Sequence, residues 1–518
     1  MGAEAAPGFH RRFPKQQAMK KLRKKARTAI ISTVAVVLVA AIAGTSGYLI
    51  HKKVPVKPSN EVEQVSIETK KAGTLRMGVI SDTQLPPNKK LEEAQNGIYR
   101  ENLKKAFELL KEQNVDAILH VGDIGDMCSK YSYETYLNVF HEVFPEEAAR
   151  PYEFRIMGNH DTWFDTDWST TPAKHKLYQS VFKENPNRHL SINGFHFICA
   201  SPDNTGNADG YSQTMRDWMK ERLAVAKEQT EAGNPIFLIT HHNIPDTVYG
   251  GSDWGAEQVR QAAAGYEQVV SISGHSHYSV LDERSIDQNQ LTAFTTQSLA
   301  YVDMERNMFN AFKGLYDDEG TIKYNPNSSY ASAPARDEEK PMCLIMNITE
   351  KNTVVERWNV LDKVEEKADS RWTLTYPMER GNFQYRYDAR AAKSVAPEFP
   401  KNASITYNPS IPSTREVGGK TPTLPGVSFP AATNPDLVNL YLYELTNAQT
   451  GKTYVYKTYS DYYLGLGSMA KQVDWAIDPT LPSGKYTVKV YAYESFGKRS
   501  APLTAEIDYT QPQIEIQK

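Results

Sequence analysis

The folded part of the chain opens with short apolar runs separated by stretches of helical period. Thr74 to Ser81 reads as a buried strand, Tyr99 to Gln113 repeats its apolar positions at helical spacing, and Asp116 to Val121 is again a short apolar run. That is a β-α-β unit. Similar runs recur at Phe154 to Met157, Phe195 to Ala200, Pro235 to Thr240 and Val269 to Ser273, with helical stretches such as Ser212 to Thr230 between them. Alternation of this kind predicts an α/β domain. Met342 to Ile348 and Thr353 to Val360 read as late strands of the same sheets, and the polar stretch over 363–395 reads as a linker. From Ala396 onward Pro and Gly punctuate the chain. Runs such as Asn439 to Leu445, Lys452 to Thr458 and Lys485 to Tyr493 predict a C-terminal β-sandwich over 396–518.

One run differs in kind. Ala29 to Ile50 holds no charged residue, and about 20 apolar residues suffice to cross a bilayer as a helix. Lys20, Lys21, Arg23, Lys24, Lys25 and Arg27 precede it, and such a basic flank stays cytoplasmic, which puts the rest of the chain outside. The expectation is a single-pass cell-membrane protein: a basic cytoplasmic tail over 1–28, a transmembrane helix over 29–50, a stalk over 51–72 and an extracytoplasmic body. A cleaved signal peptide competes with this, although the stretch exceeds the roughly 7 to 15 residues of an ordinary signal core. A buried core helix is a third reading. Ala6 stands where N-myristoylation wants Ser or Thr, so no lipid anchor is indicated.

Charge sharpens this picture. Residues 1–28 carry nine Lys or Arg against Glu4 alone, a balance of +8, so with −3 overall the remaining residues carry −11. An acidic body lacks the basic surface that nucleic-acid binding needs. The 518 residues, 40% hydrophobic and 11% aromatic, allow more than one ordered domain. Cys128, Cys199 and Cys343 are too few and too scattered for a disulfide framework or a thiolate metal site, and read as small buried side chains.

Five short polar motifs each follow an apolar strand, where open α/β sheets place ligand loops. They are Ser-Asp82-Thr-Gln84, Gly122-Asp123-Ile-Gly-Asp126, Gly158-Asn159-His160-Asp161, Thr-His241-His242 and Gly274-His275-Ser-His277. Singly they are weak: an Asp after a strand is commonly a helix cap, and Gly-Asp or Gly-Asn is commonly a turn. The last is sharper, since imidazoles two residues apart on an extended segment point the same way. Jointly, oxygen and imidazole donors at one sheet edge suit manganese, iron or zinc.

In this order the motifs resemble those of calcineurin-like metallophosphoesterases, across about residues 75–360. The resemblance implies a four-layer αββα sandwich over 73–362 that hydrolyses phosphate esters, monoester or diester. It makes Asp123 the bridging carboxylate of two divalent metal ions. Asp82, Gln84 and His277 complete one site, and Asn159, His241 and His275 the other. The two ions share the water or hydroxide that attacks phosphorus. His160 and Asp161 take catalytic roles, His160 beside the leaving oxygen, with Asp161 or Asp126 orienting rings or loops. Gln84 departs from the usual histidine; an amide oxygen is a poorer donor for zinc, so manganese or iron(II) is favoured, with zinc the third option. The segment from Ser483 to Ile507 resembles the final strands of immunoglobulin or fibronectin type III modules and suggests contact with a cell-envelope polymer.

His242 is expected to face a substrate loop or solvent. Trp163, Phe164, Trp168, Tyr249 and Trp254 either wall a substrate or pack their loops onto the body. The competing function is a surface interaction protein that uses the phosphoesterase body as a scaffold.

Overall fold

The computed structural model describes residues 57–163, 171–203, 210–249, 256–302, 341–412, 423–460 and 471–512. Ten described strands lie between residues 57 and 302: β1 (Val62–Val65), β2 (Leu75–Ile80), β3 (Ala117–His120), β4 (Tyr152–Arg155), β5 (Arg188–Ile192), β6 (Phe195–Ala200), β7 (Ile236–Thr240), β8 (Val269–Ser273), β9 (Ile286–Gln288) and β10 (Thr292–Thr295). β11 (Met342–Ile348), β12 (Asn352–Asn359), β13 (Val364–Glu366) and β14 (Trp372–Thr375) follow. One sheet runs β1-β5-β6-β7-β8-β10-β9; the other runs β13-β12-β11-β2-β3-β4, with β14 beside β12. β2, β3 and β4 are parallel. So are β6, β7, β8 and β10. Each parallel set therefore gathers its carboxyl-end loops at one sheet edge.

Strands buried on both faces are apolar almost throughout, and the packing shows why. Met77, Val79, Leu119 and Phe154 meet Phe197, Ile239, Ile272 and Phe294 in a core between the sheets. On the outer face of one sheet, Leu103, Phe107 and Leu110 of helix Ile98–Glu112 and Tyr133 and Tyr136 of helix Lys130–Val143 cover Ile118 and Ile345. Met215, Met219 and Leu223 of helix Gln213–Gln229 cover Ile198 and Leu238 on the other. The layers are helix, sheet, sheet, helix. Gly78 allows close approach: a Cβ there would lie 2.6 Å from Leu110 Cδ2.

Two stretches differ from their reading in sequence. Val62–Val65, inside the expected stalk, is an edge strand paired in parallel with β5. The expected linker over 363–395 contributes β13, β14 and helix Tyr387–Lys393. Trp372 and Leu374 alternate into the intersheet core, a two-residue apolar signal that the surrounding charges mask. Ala29 to Ile50 lies outside the described residues. Among the described residues no helix is long and apolar enough to cross a membrane.

The C-terminal region is β-rich, with β15 (Thr406–Pro412), β16 (Thr423–Pro430), β17 (Val438–Asn447), β18 (Thr453–Tyr459), β19 (Gln472–Ala476), β20 (Gly484–Glu494) and β21 (Leu503–Tyr509). β15-β16-β19 and β18-β17-β20-β21 form two antiparallel sheets. They share a core in which Trp475 stacks on Tyr443 at 3.9 Å. This region belongs to the same compact unit as the body, Val56–Lys518.

Candidate metal centre

The motif residues sit on the segments that follow β2, β3, β4, β7 and β8, with Asn159, His160 and Asp161 opening the short helix Asn159–Trp163. Five of them, Asp82, Gln84, Asp123, His275 and His277, have φ between 47° and 66°. Non-glycine residues seldom adopt this left-handed conformation, and such strain persists where the surroundings over-determine it. Backbone bonds tie the loops together: Asp82 N donates to Gly122 O at 3.0 Å, Gln84 N to Asp123 O at 3.1 Å and Gly274 N to His241 O at 3.0 Å.

The side chains converge. Donor atoms of Asp82, Asp123 and His241, all buried, lie within 4.8 Å of one another. His277 Nε2 is 3.0 Å from Asp82 Oδ1. Gln84 Nε2 donates to Asp123 Oδ2 at 3.0 Å, which leaves Gln84 Oε1 buried without a hydrogen-bond partner. His275 Nδ1 lies 2.9 Å from Asn159 Oδ1, and its backbone N donates to Asp82 Oδ2 at 3.2 Å. All seven positions expected to hold metal therefore share one site.

The imidazole tautomers show that this site fits a cation. His241 Nδ1 is 2.8 Å from Val121 O, and His277 Nδ1 is 3.2 Å from Tyr301 O. A carbonyl only accepts, so each ring holds its proton on Nδ1 and turns Nε2 inward. His241 Nε2 then faces Asp123 Oδ2 at 3.3 Å and Asp82 Oδ1 at 3.7 Å. Lone pair meets carboxylate, an arrangement that a cation or a second proton must relieve. With the proton there, Asp123 and Asp82 outweigh the burial that lowers His241 and carry it up to about 9. Burial favours neutral carboxyls, yet His277 and His241 hold Asp82 below the ordinary range, and His241 and His160 do the same for Asp123. Burial, then the charge of His241, pushes His275 down to about 3, so it stays the neutral imidazole a metal takes.

His160 stands at the rim, partly exposed. Its backbone N donates to Asp123 Oδ1 at 2.9 Å, and its Nδ1 lies 3.0 Å from Asp126 O. Burial opposes its charge, but Asp123 and Asp126 raise it to about 10. Asp161 is fully buried and accepts from the backbone N–H groups of Ile124, Gly125 and Gly158 at 3.0, 3.1 and 2.9 Å. Burial, then the charge of Asp123, raises it to about 6.

His242 corrects its reading in sequence. It is fully buried, its ring 4.5 Å from that of His275 and edge-on to Tyr211 at 5.8 Å. It lies beyond the end of β7, its ring 5.4 Å from that of His241, so the side chain is enclosed among His241, His275 and Tyr211 and does not face a loop or solvent. Tyr249 packs on Tyr278 at 4.8 Å. Phe164, Trp168, Trp254 and the Trp163 side chain lie outside the described residues.

Other parts of the site carry no motif. His120, at the end of β3, accepts from Gly122 N at Nδ1, so its Nε2–H points to Thr83 Oγ1 at 3.1 Å; that hydroxyl in turn donates to Ile124 O at 2.8 Å. This chain locks the Asp82 loop to the Asp123 loop. Ser298 Oγ donates to Asp82 O at 2.9 Å, and Tyr301 supplies the carbonyl behind His277. The one signal for His120 was a polar residue closing an apolar strand two positions before a Gly-Asp turn. The motif glycines are spacers: a Cβ on Gly158 would lie 2.1 Å from Asp123 Oδ1, and one on Gly274 2.2 Å from Ser81 Oγ.

The family model described as calcineurin-like phosphoesterase matches residues 75–279. These residues form a calcineurin-like phosphoesterase domain. No curated protein matches the chain. Among solved structures, a dimetal phosphatase from Danio rerio is 13% identical with a TM-score of 0.35, over 58% of this chain and 99% of that one. A purple acid phosphatase from yellow lupin (Lupinus luteus) seeds is 10% identical with a TM-score of 0.38, over 60% of this chain and 55% of that one. The phosphoesterase domain carries all seven convergent residues, while the residues that brace them, Ser298 and Tyr301, lie beyond the matched span.

Proposed function

We propose that this chain hydrolyses phosphate esters, monoester or diester, at a centre of two divalent metal ions outside the cytoplasm. The observation that carries the reading is the buried convergence of Asp82, Asp123 and His241, joined by Gln84, His277 and the Asn159–His275 pair. Two bound cations would lower the pKa of a shared water and neutralise phosphoryl oxygens. Asp123 would bridge the two ligand sets. His160, at the rim with its Nδ1 3.0 Å from Asp126 O, is positioned to give a proton to the leaving oxygen. Asp161, its oxygens taken by three backbone N–H groups, holds the Asp123 and Asn159 loops instead of exchanging protons with substrate.

The hard amide oxygen of Gln84 favours manganese or iron(II) over zinc. The basic tail and apolar run of residues 1–50 support a single-pass membrane anchor with the body outside. The three- and four-stranded sheets of the C-terminal region support an immunoglobulin or fibronectin type III-like module, suited to a cell-envelope polymer. The second reading, a binding protein on a phosphoesterase scaffold, is disfavoured because all seven positions keep a residue able to coordinate.

The test is turnover of paired aryl phosphomonoester and phosphodiester substrates by the full chain reconstituted with Mn²⁺, Fe²⁺ or Zn²⁺, beside Asp123→Ala and His160→Ala. Loss of turnover in Asp123→Ala and a fall of roughly 10²-fold or more in His160→Ala are expected. No turnover with any metal selects the binding protein, and zinc as the best activator overturns the reading of Gln84.

A further inference from the structure

The loop that carries His275 and His277 runs on into Ser279–Ser285, a segment dense in internal hydrogen bonds. Asp282 is fully buried at its centre. It accepts from Arg284 N at 2.9 Å, Arg284 Nε at 3.0 Å and Arg284 Nη2 at 2.8 Å. The Arg284 guanidinium lies 4.4 Å from the ring of Tyr249, which packs on Tyr278, the residue next to His277. Tyr249 also donates from its hydroxyl to Ser279 O at 3.2 Å. The segment is thus a rigid continuation of the metal-facing loop.

Its last contact comes from the other end of the chain. Asn439 Nδ2, fully buried, donates to Asp282 Oδ2 at 3.0 Å. Asn439 sits at a β-bulge: the pairing of β17 with β20 steps from Val438 opposite Glu494 to Leu440 opposite Tyr493, leaving Asn439 without a place in that ladder. Bulges re-aim side chains, and this one aims an amide out of the C-terminal sheet into the phosphoesterase body. The neighbouring contacts reinforce it. Glu283 is paired with Arg357 at 2.9 Å and Lys367 at 3.3 Å, and Lys367 also pairs with Asp436, three residues before Asn439.

We propose that Asn439 is a positioning residue for the metal centre: through Asp282 the C-terminal module fixes the segment that presents His275 and His277. The module is then part of the catalytic unit. This rests on the reading of those two histidines as metal ligands.

The experiment is Mn²⁺ binding to the full chain by calorimetry, with hydrogen exchange of residues 277–285, for wild type, Asn439→Leu, Asp436→Asn and His277→Ala. Loss of an orienting partner of a ligand typically costs 10- to 100-fold in metal affinity. Asn439→Leu is expected to weaken Mn²⁺ binding about tenfold and to speed exchange across 277–285. Asp436→Asn, which weakens the neighbouring Lys367 pair but keeps the Asn439 amide, is expected to cost no more than about threefold; a loss equal to that of Asn439→Leu would assign the effect to the ion pairs and overturn the inference. Wild-type Mn²⁺ affinity in Asn439→Leu, with binding lost in His277→Ala, overturns this inference alone. Unchanged binding in His277→Ala overturns the ligand reading beneath it. Should Asn439→Leu fail to fold, Asn439→Ser, which shortens the donor without adding bulk, serves the same comparison: the same loss of affinity supports the inference, and wild-type affinity overturns it.

Discussion

At the scale of single residues the centre is governed by close approach. Gly158 and Gly274 leave no room for a Cβ, and in both cases the obstructing atoms belong to the ligand set or touch it: Asp123 Oδ1 at 2.1 Å, Ser81 Oγ at 2.2 Å and Asp82 Oδ2 at 2.6 Å. Gly158→Ala and Gly274→Ala should therefore displace a carboxylate before they disturb the distant core, at an overpacking cost of about 1–3 kcal/mol. The expected result is a folded protein, by circular dichroism, whose Mn²⁺ affinity falls at least tenfold. Retained affinity in both variants would mean that the carboxylates can shift without loss. The seven converging residues were legible because Asp, Asn, Gln and His in five ordered motifs announce themselves. His120, Ser298 and Tyr301 were not, since their contributions run through a hydroxyl chain and backbone carbonyls that any sequence pattern leaves silent.

Strands and helices with strong periodicity matched their reading in sequence to within a few residues, as with β2, β7, β8 and helix Gln213–Gln229. Short strands in polar surroundings did not. β14 is the clearest case: Trp372 is fully buried, the Arg357 guanidinium lies 4.7 Å from its ring, and the strand pairs with β12. If 363–395 were a mere linker, Trp372→Ala would cost little. As an intersheet core residue it should cost about 3–5 kcal/mol, read from the shift of the urea midpoint.

For the whole molecule, a pair of buried imidazoles adds a pH-dependent contribution to stability. His189 Nε2 lies 2.8 Å from His196 Nδ1, away from the metal centre. Burial, then the charges of His196 and Arg222, holds His189 down to about 3, and burial lowers His196 as well. Unfolded imidazoles titrate near 6.5. Below about pH 6.5 the unfolded chain takes up protons that the fold refuses until about pH 3. The contribution of His189 is therefore complete at neutral pH and is lost as pH drops through that window, by up to about 1.4 kcal/mol per unit. Urea midpoints between pH 7.5 and 5 should show this loss, and His189→Phe should make the slope shallower. Equal slopes in the two proteins would remove His189 from the account.

The sequence by itself determined the α/β class, the β-rich C-terminal region and the identity of the seven converging residues, because hydrophobic period and donor chemistry are local properties of the chain. Tertiary structure alone decided the rest. The strand order, the placing of Val62–Val65 at a sheet edge, the inward turn of His242 and the reach of Asn439 to Asp282 all join residues far apart in the chain. Which partner a buried polar group finds depends on the packing of the layers, and no local pattern encodes that choice.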